Sequence, residues 1–139
     1  MKKPIIITGP PMSGKSFFAR NILLMFGDNP IEFDGRNFDL ADPWCFADLT
    51  PETDLILIDD IRSLHSIESV LNKDVFLINK RFGPVIEVLR PWTIIVAEDD
   101  IITQDFINKN ISKYIFIECD YNENKVFSFK KLTPETAQL

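Results

Sequence analysis

Short, uninterrupted apolar runs separated by polar or Gly/Pro-containing breaks set the rhythm of this chain. Ile5 to Ile7, Leu55 to Ile58 and Thr93 to Ala97 show no alternation, the pattern of strands buried on both faces of a parallel sheet. Ser16 to Phe26 is read as a helix instead: Phe17, Phe18, Ile22, Leu23, Met25 and Phe26 mix with Arg20 and Asn21 before a stop at Gly27-Asp28-Asn29-Pro30, and its aromatics are expected in the core. Ser63 to Asn72 is a second helix, with Leu64, Ile67, Val70 and Leu71 on one face, Ser63 as its cap and His65 on the solvated side. Ile31 to Phe33 is a short strand closed by an Asp34-Gly35 turn, and Trp44 to Leu49 is an aromatic turn lying as a lid over a core edge. Val75 to Ile78 and Val85 to Val88 flank Asn79 to Pro84 as a β-hairpin with a basic, aromatic tip. Ile101 to Asn110 reads as a helix, and Tyr114 to Glu118 and Lys125 to Phe129 as a terminal hairpin around Asn122 to Asn124, with a tail from Lys130.

Strands alternating with helices predict an α/β fold: a three-layer sandwich on a mostly parallel sheet of about five strands, plus the β-hairpin as an insertion. The Ile5 strand is expected at the centre, beside the Ile94 strand, which in turn neighbours the Leu55 strand. At 139 residues, residues 1–139 are expected to form a single domain. A net charge of -6 argues against coating nucleic acid by bulk charge and leaves room only for a local basic element. Met1-Lys2-Lys3 is followed by an apolar run too short for a secretion signal, and no stretch is long enough to span a membrane, so a cytoplasmic protein with no membrane partner is expected. Cys45 and Cys119 lack C-x-x-C spacing and are read as reduced thiols.

The candidate chemistry starts at Gly9. Gly9 to Ser16, reading GPPMSGKS, fits G-x-x-x-x-G-K-[ST] between a strand and a helix, the setting a phosphate-binding loop requires. Gly9 and Gly14 allow backbone N–H groups to turn inward, and the new helix aims its positive end at the anion. Gly9, Pro10, Pro11, Met12, Ser13, Gly14, Lys15 and Ser16 are therefore the candidate ATP-binding residues, with Lys15 on the β and γ phosphates and Ser16 in a Mg²⁺ shell. The acids Asp59 and Asp60 close the Leu55 run at the carboxyl end of a buried strand, where ligands bind in open α/β sheets. Asp59 is assigned to Mg²⁺ and Asp60 to a general base acting on water. A pair of acids alone would equally serve to cap the next segment.

The succession GPPMSGKS, PWCFADL, LILIDDI, FLINKRFGPVIEV and RPWTIIVA resembles the superfamily 3 helicases of small DNA viruses and plasmids, within the AAA+ ATPases, over about Pro4 to Asp120. That resemblance implies an oligomeric ATPase working on single-stranded DNA or RNA, as a homo-oligomer or beside a partner subunit. It assigns Lys80, with Arg81 next to it, to nucleic-acid binding at the hairpin tip. It also marks two departures. Glu98 stands near the place of a polar residue and Asn that sense the γ-phosphate, and Lys113 stands for an arginine that reaches a neighbouring subunit's nucleotide. Lys15, Asp60, Glu98 and Lys113 thus make up the candidate catalytic set. Besides this ATPase reading stand a nucleotide-binding regulatory module with little turnover and a small-molecule kinase in which Asp34-Gly35-Arg36 holds the acceptor. No arginine follows Arg90, so an arginine-rich kinase lid is missing from the later chain.

Overall fold

The computed structural model describes residues 2–40, 42, 44–79 and 83–134. Its strands are β1 (Ile5–Gly9), β2 (Pro30–Asp34), β3 (Leu55–Asp59), β4 (Val75–Ile78), β5 (Ile86–Leu89), β6 (Trp92–Glu98), β7 (Ile115–Tyr121) and β8 (Phe127–Lys131). Helices α1 (Lys15–Phe26), α2 (Leu64–Leu71) and α3 (Gln104–Asn110) lie between them among the described residues. Six strands form one sheet in the order β2-β3-β6-β1-β7-β8, and β4 and β5 form a separate antiparallel ribbon. The large sheet is parallel except for β8, which runs antiparallel to β7. β1 is central, β6 lies beside it and β3 beside β6, the order expected from the sequence.

The continuous apolar runs are explained by two cores, one on each face of the sheet. Alternate residues of a strand serve opposite faces. Ile5, Ile7, Leu57, Ile94 and Val96 meet Ala19 and Leu23 of α1 on one face. Ile6, Ile56, Ile58 and Ile95 meet Ile67 and Val70 of α2, Phe106 and Ile107 of α3, and the ribbon's Phe76 on the other. Since burying one such side chain stabilises by about 1.5–3 kcal/mol, the three central strands carry most of the fold. The Trp44–Leu49 turn packs as expected over a core edge: Phe46 is buried and stacks on Phe76 with ring centres 4.3 Å apart.

Several elements differ from the sequence expectation. The sheet has six strands rather than about five, because the terminal hairpin adds β8 at its edge, and Lys130 and Lys131 belong to that strand rather than to a tail. Lysines suit a solvent-facing edge strand, which is why they read as a tail in one dimension. Leu132 then tucks in, its N–H donating to the Phe116 carbonyl at 2.9 Å. α3 starts at Gln104 instead of Ile101, since the Thr103 hydroxyl caps it by accepting from the Phe106 N–H, while the N–H groups of Ile101 and Ile102 turn back onto the Glu98 carbonyl. The aromatics of α1 are core only in part: Phe17 is 72% and Phe26 58% exposed, whereas Phe18 is half-buried, stacks on Phe129 and packs against the core on the α1 face. Ala19 and Leu23 are the buried apolar residues of α1, with Phe18 and Ile22 packed partly buried beside them. α2 is capped by Ser63, with His65 exposed, as expected.

Candidate functional site

The parallel strands all deliver their carboxyl ends to one edge of the sheet, and the loop after β1 crosses that edge. Gly9, at φ 150°, runs so close to β7 that an added Cβ would collide with the Cys119 carbonyl. Met12 crests the loop in the left-handed region at φ 61°, with its side chain 90% exposed. Gly14, at φ 85°, occupies the N-cap of α1, and the Phe127 ring lies 3.1 Å from where its Cβ would stand. No side chain caps this end of α1 and its own first turn holds no acid, so no residue of the helix itself offsets its positive end. Inside the loop, Lys15 is buried and its Nζ donates to the Pro10 carbonyl at 2.6 Å. The Ser13 and Thr8 hydroxyls are buried with no hydrogen-bond partner among the described residues.

The two anchors of the sequence reading meet here. The Ser16 hydroxyl, one turn into α1, donates to Asp59 Oδ1 at 2.7 Å across 43 positions of sequence. Arg20 Nη2 donates to the other oxygen, Asp59 Oδ2, at 3.1 Å, and Arg20 is itself held by Glu32 through Nε at 2.8 Å and Nη2 at 3.1 Å. The bond from Glu32 keeps the Arg20 guanidinium above its ordinary pKa, with Asp59 adding a smaller push in the same direction. Asp60 follows at φ 61°, which swings it away from the strand direction, and Arg62 grips both its oxygens at 3.1 and 2.8 Å. β2 is in register with β3, Asp34 opposite Asp59, so Asp34 and Arg36 join the same cleft of about 330 Å³. The side chain and backbone N–H of Arg36 hold the Asp34 carboxyl down at about 2.

Glu98 ends β6 directly opposite Gly9, and the next residue, Asp99, donates its N–H to the Gly9 carbonyl at 3.1 Å. Ser16, Asp59 and Glu98 therefore share one edge with the loop. Lys113 does not join them. It is exposed in the turn before β7, where Ile115 pairs with Ile5, so it lies at the opposite edge of the sheet, about 13 Å of strand away from Gly9. Lys80 and Arg81 fall outside the described residues, whereas the β4–β5 ribbon that leads to them forms as expected. Both cysteines are free; burial pushes the Cys119 thiol up to about 11, only partly offset by Lys15.

Arg20, Glu32 and Arg62 were missed in the sequence. Ser16 and Arg20 are four apart on one helix face, a spacing that identifies them as neighbours once Ser16 is suspected. Arg62 offered no comparable signal.

No family model matches the chain, and no curated protein matches it. Among solved structures it is similar to one described as the A form apo structure of the NrS-1 C terminal region, with a TM-score of 0.55 and 12% identity over 98% of this chain and 33% of that one. At that identity the likeness is one of fold, and the chain spans about a third of that neighbour's length.

Proposed function

We propose that this chain is a P-loop NTPase with the three-layer, AAA+-like arrangement, binding ATP and hydrolysing it with Mg²⁺ as a helicase- or translocase-type motor on single-stranded nucleic acid. The observation that carries the nucleotide reading is the Ser16–Asp59 hydrogen bond of 2.7 Å at the mouth of the Gly9–Ser16 loop. A hydroxyl and a carboxylate from distant segments meet there, the hard oxygen donors that a magnesium ion takes from a protein when phosphates and waters supply the rest. Ser16 and Asp59 would hold the ion, which would supply electrostatic stabilisation of the charge that develops on the phosphate. Lys15 exchanges the Pro10 carbonyl for the β and γ phosphates. Arg20 holds Asp59 in position for its metal-binding role.

Asp60 accepts a proton from the attacking water once its contact with Arg62 opens. Glu98 flanks the loop from β6, where a carboxylate beside phosphate favours a cation between them. Lys113, at the far edge, serves a nucleotide only if a second copy presents it, which agrees with a homo-oligomeric motor. Lys80 and Arg81 are the proposed contacts to the strand's phosphates.

The arginine grip on Asp60 favours one second reading, a nucleotide-binding regulatory module with little turnover. Measuring ATP hydrolysis with Mg²⁺ at a protein concentration that permits assembly, with and without single-stranded DNA, separates the two. The motor reading expects stimulation by DNA and salt-sensitive binding, its log–log salt slope flattened by about one to two in a Lys80→Ala, Arg81→Ala double variant. ATP binding with neither turnover nor strand binding selects the regulatory module.

A further inference from the structure

We infer that Phe17, Phe127 and Phe129 form a stacking platform for the purine base of the nucleotide, an inference that rests on the phosphate-loop reading above and extends it. The strand order gives the loop after β1 two unlike flanks. Toward β6, β3 and β2 lie Glu98, Asp59 and the charged cleft; toward β7 and β8 lie Glu118, opposite Thr8, and past it a cluster of aromatic side chains. Hydrolysis requires the terminal phosphate to face the acids and the metal. The nucleoside, attached at the other end of the triphosphate, must then leave the loop on the β7–β8 side.

A pocket of about 400 Å³ lies on that side, lined by Gly14, Phe17, Phe127 and Phe129. Gly14 belongs to both the loop and the pocket, and the Phe127 ring sits against it, so a ligand passes from one to the other without a gap. The volume falls in the range of small-molecule sites. Phe17, Phe127 and Phe129 are 72%, 51% and 43% exposed, an apolar cluster that a folded chain leaves in water where something is to cover it. The rings are already held in place: Phe129 stacks on Phe18 with centres 4.4 Å apart, and Phe127 lies 4.5 Å from Tyr121. Aromatic faces bind bases through their π-systems whatever the base, and no lining side chain carries a polar atom to read a base edge. The platform therefore favours large bases over small ones and does not separate adenine from guanine.

The test is calorimetric titration of the full chain, with Mg²⁺, by ATP, GTP, CTP and inorganic tripolyphosphate. ATP and GTP are expected to bind alike and more tightly than CTP or tripolyphosphate. Phe127→Ala should weaken ATP by about 5- to 100-fold while tripolyphosphate affinity stays as it was, and Phe127→Tyr should restore ATP binding. Phe17→Ala, on the exposed face of α1, carries the same expectation should Phe127→Ala fail to fold. A parent chain that binds neither ATP nor tripolyphosphate overturns the loop reading itself. A parent that binds ATP and tripolyphosphate equally, or alanine variants that keep full ATP affinity, overturns the platform and leaves the loop reading standing.

Discussion

The two flanks of the Gly9–Ser16 loop are built from opposite materials. On the β3 side the charged groups are held in pairs: Arg20 with Glu32 and Asp59, Arg36 with Asp34, Arg62 with Asp60. On the β8 side the side chains are aromatic and stand partly in water. Exposed ion pairs contribute only about 0–1 kcal/mol each, so the charged flank can exchange partners cheaply when a metal, a phosphate or a water arrives. The three phenylalanine rings of the aromatic flank have no partner to exchange and carry no group that can move a proton. On the proposed reading a division of labour follows, in which one flank would react and the other would hold the nucleotide.

Substitution of Asp60 should break this comparison most sharply. Asp60→Asn would remove the proposed proton acceptor and keep the shape, so turnover should fall by about 10²–10⁴ while ATP affinity changes little. Phe127→Ala should do the reverse, weakening binding and leaving the turnover of bound ATP alone. Steady-state kinetics alongside direct binding would read both, and a fall in affinity in Asp60→Asn as large as that in Phe127→Ala would erase the distinction between the flanks.

Lys15 sits between them and serves both readings. Lys15→Ala would delete the proposed charge-assisted contact to the phosphates, and triphosphate affinity should drop on the order of 100-fold, for tripolyphosphate as much as for ATP. Equal affinity in the variant and the parent would remove the loop from the mechanism.

How much of this was legible in the sequence depended on whether the signal was local. The loop, its strand and its helix announce themselves because each needs particular residues at fixed spacing: glycine where φ is positive, lysine and serine where the helix opens. Asp59 was legible because four apolar residues precede it and mark a buried strand. The order β3-β6-β1, expected for a parallel α/β sheet with its site at the carboxyl ends of the strands, is the order found. The aromatic flank was not legible. Phe17 and Phe129 lie more than a hundred positions apart, and hydrophobic residues on a helix beside a glycine loop read as core until the sheet shows that Ala19 and Leu23 fill that place. Arg62 was hidden for a different reason: its partner choice depends on the left-handed turn at Asp60, which sequence does not display. Lys113 matched a position in the family pattern, but the strand direction that carries it to the opposite edge of the sheet is a property of topology.

Gly9 tests the framework that keeps the flanks apart. Gly9→Ala would drive a methyl into the Cys119 carbonyl of β7, where backbone rather than a flexible side chain must give way. Destabilisation of about 2–3 kcal/mol is expected, seen as a lower thermal midpoint and accompanied by weaker binding of every phosphate ligand. Unchanged stability would mean that β1 and β7 are free to separate at the loop, and the flank geometry would lose its support.

The smallest effect is expected at Arg62, and it bears on whether this chain turns over at all. Its guanidinium occupies both oxygens of Asp60, so a water that is to be deprotonated must compete with it. Because both partners are partly exposed, the pair contributes at most about 1 kcal/mol, and opening it should limit turnover by no more than about fivefold. Arg62→Ala should therefore raise kcat by about two- to fivefold with little change in KM, and Arg62→Lys, which keeps the charge but not the two-pronged grip, should fall between variant and parent. A fall in kcat in Arg62→Ala would show instead that the arginine assists the reaction, by orienting Asp60 or by meeting phosphate charge, and the charged flank would then need its pairs intact during the reaction rather than before it.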